Sequence, residues 1–194
     1  ICEGLVGSEM CIRDSHPTDV KKNFKDELEF VVNSLKTHDY VAIGEIGIDL
    51  YWDKSFLIEQ QEAFTFQIQL AIKHDLPIVI HCRDAFDEIF EILDKENCDK
   101  LRGVFHCFTG TLEQAKRAID LGFVLGIGGV VTFKNGGIDK FLNQIDLKHI
   151  VLETDSPYLA PVPFRGKRNE SSYIIHVVEK LSEIYGLSNE EIAD

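Results

Sequence analysis

The chain has 194 residues and, with 20 Lys and Arg against 33 Asp and Glu, a formal charge of −13. A hydrophobic share of 44% with 27% charged residues is ordinary globular composition for one domain, which excludes disordered, fibrous and disulfide-scaffold classes. Its longest apolar runs, such as Leu76 to Cys82 and Phe123 to Ile127, are strand-sized and short of the roughly 20 residues a membrane helix needs, and its acidity argues against a sequence-independent basic grip on nucleic acid.

Cys2, Cys11, Cys82, Cys98 and Cys107 are odd in number and contain no C-x-x-C pair. They indicate neither a disulfide framework nor a zinc ribbon, and they fit a reducing, cytoplasmic location. Residues 1–15 show neither the layout of a signal peptide nor a clean period, and read as a non-native or damaged leader. The organised pattern begins near His16 and continues as one partial domain over 16–194.

Asp19 to His38 carries Phe24, Leu28, Val31, Val32 and Leu35 at three- and four-residue intervals and is expected to form an amphipathic helix. Tyr40 to Ile48 reads as a buried strand, Ile58 to His74 as a helix and Pro77 to Cys82 as a strand. The order continues with a helix at Ala85 to Lys95, a strand at Gly103 to Cys107, a helix at Leu112 to Leu121 and a strand at Phe123 to Gly128. A helix at Gly137 to Gln144 and a strand at Ile150 to Thr154 follow. Strands alternating with helices predict a parallel β/α architecture with every strand C-terminus on one side. Beyond Asp155 lies an irregular stretch with Pro157, Pro161 and Pro163 and the densest basic cluster, Arg165, Lys167 and Arg168. It reads as a long functional loop. A helix from Tyr173 to Tyr185 stops at Gly186, and Ser188 with Glu191 makes a capping box for another.

Four chemically able residues fall at or just past strand ends: Glu45 in GEIGID, His81 in VIHCR, His106 in FHCF and Asp155 in ETDSP. Their spacings of 36, 25 and 49 residues, the last with a further strand between, match one, one and two βα units. In a (β/α) barrel such ends converge on one mouth. Two imidazoles and two carboxylates suit Zn²⁺, Mn²⁺ or a mixed site accepting Mg²⁺. A pair of cations can activate water and clamp a phosphoryl or acyl oxygen, which is hydrolase chemistry.

The segments GEIGIDLYWD, PIVIHCRDAFDE, GVFHCFTGT, LGIGGVVTFKN, VLETDSPYLAP and RGKRNE, in that order, resemble the TatD family of metal-dependent deoxyribonucleases over about residues 16–194. The resemblance implies an α/β fold, a TIM-type (β/α) barrel that is incomplete here because the first strand, with its H-x-H pair, and the C-terminal end are missing. It implies that Glu45 bridges two divalent metal ions, that His81 and His106 bind one of them, and that Asp155 binds the other and acts as general base. His16-Pro17 resembles a His-Pro element near the substrate. The implied activity is hydrolysis of phosphodiester bonds in DNA, trimming single-stranded 3′ ends with Mg²⁺, with no membrane and no obligate protein partner. The alternatives are an amide or ester hydrolase of the same barrel superfamily and an inactive metal-binding fragment, since no H-x-H occurs in this sequence.

The supporting residues carry two readings each. Arg83 either meets a substrate phosphate or pairs with Asp84 or Asp87. Asp49 either orients a ligand or caps the turn after its strand. Arg165, Lys167, Arg168 and Asn169 form either a phosphate clamp, with Arg165 and Arg168 as its substrate contacts, or a solvated loop. Tyr51 and Trp52 either stack on a base or pack in a loop. Cys82 and Cys107 read as core, and the glycines of LGIGGVV indicate close backbone approach rather than a dinucleotide fingerprint.

Overall fold

The computed structural model describes residues 16–194; the leader expected at 1–15 lies outside the described residues. Two compact units divide the chain, one ending at His106 and the other running from Cys107 to Asp194.

In the first unit α1 spans Phe24–Ser34, shorter than the periodicity predicts at both ends. The preceding residues are drawn into a turn by the Asp19 N–H to His16 carbonyl bond of 2.9 Å. Val20, Phe24 and Leu28 form a buried cluster with Ala63 of α2 (Leu57–His74). On α2, Ala63, Phe64, Gln67, Ile68, Leu70 and Ala71 are buried. Full burial of Phe64 alone contributes about 1.5–3 kcal/mol. The helix ends at Asp75, whose left-handed φ of 55° lets its N–H and that of Leu76 satisfy the last carbonyls.

Strands β1 (Ile43–Asp49), β2 (Ile78–Arg83) and β3 (Gly103–Phe105) lie parallel in that order, with α3 at Phe86–Glu96. β1 is almost wholly buried, as a strand covered on both faces must be. Its two glycines let it lie flush on β2. A Cβ at Gly44 would sit 2.4 Å from that of Val79, and one at Gly47, where φ is +143°, would sit 2.0 Å from the His81 carbonyl oxygen. Between these glycines the register slips by one residue, so that Gly44 pairs with Val79 and Ile46 with Ile80. Glu45 is the unpaired residue of this bulge.

In the second unit α4 (Leu112–Asp120) opens with a capping box of Thr111 and Gln114 that the sequence reading missed. β4 (Phe123–Ile127) and β5 (Ile150–Leu152) pair in parallel. The helix expected over 137–144 is replaced by two short 3₁₀ turns, Ile138–Lys140 and Leu142–Gln144. The Tyr185 hydroxyl shares its one proton between the Leu142 and Ile145 carbonyls, at 2.5 and 2.8 Å, and so ties the end of this segment to the C-terminal part of the chain. α5 spans Ile174–Tyr185 and stops at left-handed Gly186. α6 (Asn189–Ala193) carries the expected Ser188–Glu191 capping box. No helix among the described residues is long and apolar enough to cross a membrane.

Candidate metal centre

The bulge that leaves Glu45 unpaired also re-aims its side chain, which is the usual service of a bulge beside a functional site. Three imidazoles face the Glu45 carboxylate. His16 Nε2 lies 3.7 Å and His81 Nδ1 4.0 Å from Oε2, while His106 Nε2 lies 3.7 Å from Oε1. These gaps are too long for hydrogen bonds. They are close to the edge of about 3.4 Å that ligand atoms span on a tetrahedral ion with bonds near 2.1 Å. His16, Glu45 and His81 each offer a ligand atom within 4.8 Å of the others. His106 stands on the opposite carboxylate oxygen, so Glu45 presents donors toward both sides. The resemblance assigns His81 and His106 to one ion; here they face different oxygens, and His16 is the imidazole beside His81, with ring centroids 4.6 Å apart.

Burial, followed by the neighbouring His81, lowers the His16 pKa from its ordinary value of 6.5. Burial also lowers that of His81, partly offset by Asp49. Both rings are neutral at pH 7 and keep a lone pair for a cation. His16 Nδ1 accepts the Thr18 N–H at 3.3 Å and lies 2.7 Å from the Thr18 hydroxyl, which fixes the ring with Nε2 toward Glu45.

Asp49 serves both of its sequence readings. One carboxylate oxygen accepts from His81 Nε2 at 3.0 Å, and the other accepts the Tyr51 N–H at 2.9 Å. The first bond puts the His81 proton on Nε2 and leaves Nδ1 bare toward Glu45, the arrangement that carboxylate partners impose on metal-binding imidazoles. Asp49 is 3% exposed, and Gln60 of α2 holds its backbone from both sides. The Asp49 N–H donates to Gln60 Oε1 at 2.8 Å, and Gln60 Nε2 donates back to the Asp49 carbonyl at 3.3 Å. The sequence reading missed Gln60. Its signal was a polar residue on the same helical stripe as Phe64, Ile68 and Ala71.

Beyond the centre, Arg83 meets neither Asp84 nor Asp87 among the described residues; its guanidinium lies 3.8 Å from the Tyr51 ring centroid. Cys82 is half-buried rather than a full core residue, and the burial it has pushes its thiol pKa up to about 12. Cys107 stands past β3 in a turn with φ +44°, and its N–H donates to Glu153 Oε1 at 2.7 Å.

In the second unit Asp155 also takes a left-handed conformation, φ +53°. Such strain in a non-glycine residue persists only where surroundings impose it. Asn169, expected in the basic loop's clamp, turns inward instead: it is 3% exposed and donates to the Thr154 and Tyr158 carbonyls, bracketing Asp155. Its backbone N–H reaches the Pro157 carbonyl at 3.0 Å. Arg165 lies over Phe133 at 3.8 Å and lines a cavity of about 600 Å³ with Thr109, Lys134 and Asn135. Arg168 is exposed. Gly129 carries the close approach expected of the glycine run, since a Cβ there would lie 2.2 Å from the Leu159 carbonyl oxygen.

The family model described as TatD related DNase matches residues 10–194. The uncharacterized metal-dependent hydrolase YabD of Bacillus subtilis is 43% identical over 180 residues, covering 92% of this chain and 70% of its own length. The 3′-5′ ssDNA/RNA exonuclease TatD of Citrobacter koseri is 34% identical over 178 residues, covering 88% of this chain and 68% of that protein. The crystal structure of YjjV, a TatD homolog from Escherichia coli, superposes with a TM-score of 0.86 at 30% identity, covering 95% of this chain and 71% of that one. The chain spans 58 to 70% of the length of the first curated relatives it matches. The expected α/β fold class, of the TatD barrel type, is the one found. From the motif order, the strand-end imidazoles around Glu45 and these likenesses together, the chain belongs to the TatD-related DNase family.

Proposed function

We propose that the protein is a metal-dependent phosphodiesterase that trims single-stranded DNA from its 3′ end. The observation that carries this reading is one carboxylate, Glu45, faced by three histidine rings at distances that suit coordination rather than hydrogen bonding. Nitrogen and oxygen donors in this mixture suit Zn²⁺ or Mn²⁺ and tolerate Mg²⁺, the ion the family resemblance favours in the cell. Such ions, when bound, polarise a phosphoryl oxygen and make water acidic enough to be a nucleophile near neutral pH.

The chain's own residues divide the remaining work. Glu45, His81, His106 and His16 would hold the divalent cations, and Asp49 fixes the His81 ring so that Nδ1 stays unprotonated. The motif resemblance, not a measured distance, gives Asp155 its role: it would accept the proton of the attacking water and be a further metal ligand. Arg83, Arg165 and Arg168 offer planar guanidinium donors to phosphate oxygens. The nucleic-acid preference draws support from the Citrobacter relative's name and from the motif resemblance.

The test is release of mononucleotides from a 5′-labelled single-stranded oligonucleotide with Mg²⁺ or Mn²⁺, against EDTA, and with Glu45→Gln and Asp155→Asn. The reading expects metal-dependent shortening from the 3′ end, inhibited by inorganic phosphate and abolished in both variants. Hydrolysis of amides or lactones that phosphate leaves untouched would reassign the chemistry. Metal binding without turnover on any of these substrates would make this chain a binding fragment. Full activity of Asp155→Asn would remove the base assignment.

A further inference from the structure

Tyr51 and Trp52 are 53% and 71% exposed, a large aromatic area to leave in water at neighbouring positions. Single exposed apolar residues need no explanation. Here two consecutive rings meet edge to face at 4.8 Å, and the Arg83 guanidinium lies 3.8 Å from the Tyr51 centroid and 5.4 Å from that of Trp52. The cluster is fixed to the metal centre by short covalent and hydrogen-bonded links. Arg83 is two residues beyond His81 and is the register partner of Asp49, and the Leu50 N–H donates to the Arg83 carbonyl at 2.9 Å. Asp49 holds the Tyr51 N–H with one oxygen and His81 with the other. Asp53 accepts the Ser55 N–H at 2.8 Å and so closes the following turn without using the Trp52 ring.

We propose that Tyr51, Trp52 and Arg83 form a stacking subsite for an unpaired nucleobase next to the phosphodiester held at the Glu45–His81 centre. This rests on the phosphodiesterase reading. The charge gives a physical reason: at −13 the chain as a whole repels a polyanion, so contacts that do not rely on charge add to what a few guanidiniums can supply. Stacking on an aromatic face is such a contact and tolerates every base. Arg83 adds a planar cation that can lie against a ring while its N–H groups reach phosphate. A paired base, already stacked in a duplex, would have to be pulled free first, so the subsite favours single strands and frayed ends.

Trp52 is the chain's single tryptophan, so its emission reports on the subsite directly. The experiment titrates the 194-residue chain in EDTA, where no hydrolysis competes, with a single-stranded thymidine hexanucleotide. An abasic hexamer with the same phosphates and a blunt hairpin serve as comparisons. The expected result is saturable quenching by the hexanucleotide, with binding weakened roughly 5- to 150-fold for the abasic strand. By anisotropy of a labelled strand, Trp52→Ala loses a similar factor and Trp52→Phe recovers most of it. Equal binding of abasic and normal strands, unchanged binding by Trp52→Ala, or no quenching at all would overturn the proposal. Cleavage of the abasic strand by the Mn²⁺-loaded protein tests the phosphodiesterase reading separately. Cleavage with no dependence on the base sinks only the subsite, and base-dependent binding without cleavage of either strand sinks only the hydrolase.

Discussion

Replacing Asp49 by Asn changes one atom and should reverse the tautomer of a metal ligand. In the native chain Asp49 accepts two hydrogen bonds, from His81 Nε2 at 3.0 Å and from the Tyr51 N–H at 2.9 Å. An amide has only one carbonyl oxygen, so whichever way it turns, a donor faces a donor. Keeping the Tyr51 bond puts the NH₂ against His81 Nε2, which must then give up its proton and accept. The proton moves to Nδ1, the nitrogen 4.0 Å from Glu45 Oε2. A ring protonated there has no lone pair for the cation. Loss of such a partner typically weakens metal binding 10- to 100-fold, about 1.4–2.8 kcal/mol. The variant keeps its shape, so its melting temperature without metal should change little. Calorimetry with Zn²⁺ or Mn²⁺ measures the affinity, and ¹⁵N shifts of the His81 ring report which nitrogen carries the proton. Asp49→Asn binding metal as tightly as wild type, with the proton still on Nε2, would refute this account of how the ring is set.

Three further outcomes follow from the geometry. Gly47→Ala forces a Cβ to within 2.0 Å of the His81 carbonyl oxygen at a φ of +143°; thermal unfolding should show a loss of at least about 2 kcal/mol, together with reduced metal uptake. Asn169→Ala removes the bonds to the Thr154 and Tyr158 carbonyls and should cost about 1–3 kcal/mol, with hydrogen exchange rising over residues 154–158 while the amides of β1 and β2 stay protected. Because burial holds the His16 and His81 pKa values below 6.5, the folded chain binds fewer protons than the unfolded one between those values and 6.5. Stability without metal is therefore fully present above about pH 6.5 and falls as acid takes the pH down through the folded values; melting temperatures that rose on acidification across this range would contradict the neutral-imidazole reading.

Much of this organisation is legible in the sequence because hydrophobic periodicity and strand-end position are local signals. Each strand lies where the apolar runs put it, although β1 begins three residues later than read and β3 and β5 each end two residues earlier. Glu45, His81 and His106 stand out because acids and imidazoles are costly to seat among apolar strands without a purpose. What the sequence could not convey depends on partners far along the chain. The 3₁₀ turns over 138–144 are tied at their C-terminal end by the Tyr185 hydroxyl some 40 residues away. Gln60 gains its meaning only from Asp49, and Asn169 from the carbonyls of Thr154 and Tyr158. His16 read as a substrate-side residue until the backbone set its ring beside His81. Arg83 offered two ordinary roles, phosphate contact or ion pair, and the structure stacks it on Tyr51.

The central claim is that Glu45 and the histidines around it hold a cation. Crystals of the chain soaked in Mn²⁺ or Zn²⁺ and measured at the metal's absorption edge test it most directly. The account predicts an anomalous peak within about 2.0–2.3 Å of a Glu45 carboxylate oxygen and of His81 Nδ1, with Asp49 still on His81 Nε2. A peak bound only elsewhere, or none at saturating metal while Glu45 and the three rings keep their places, would contradict it.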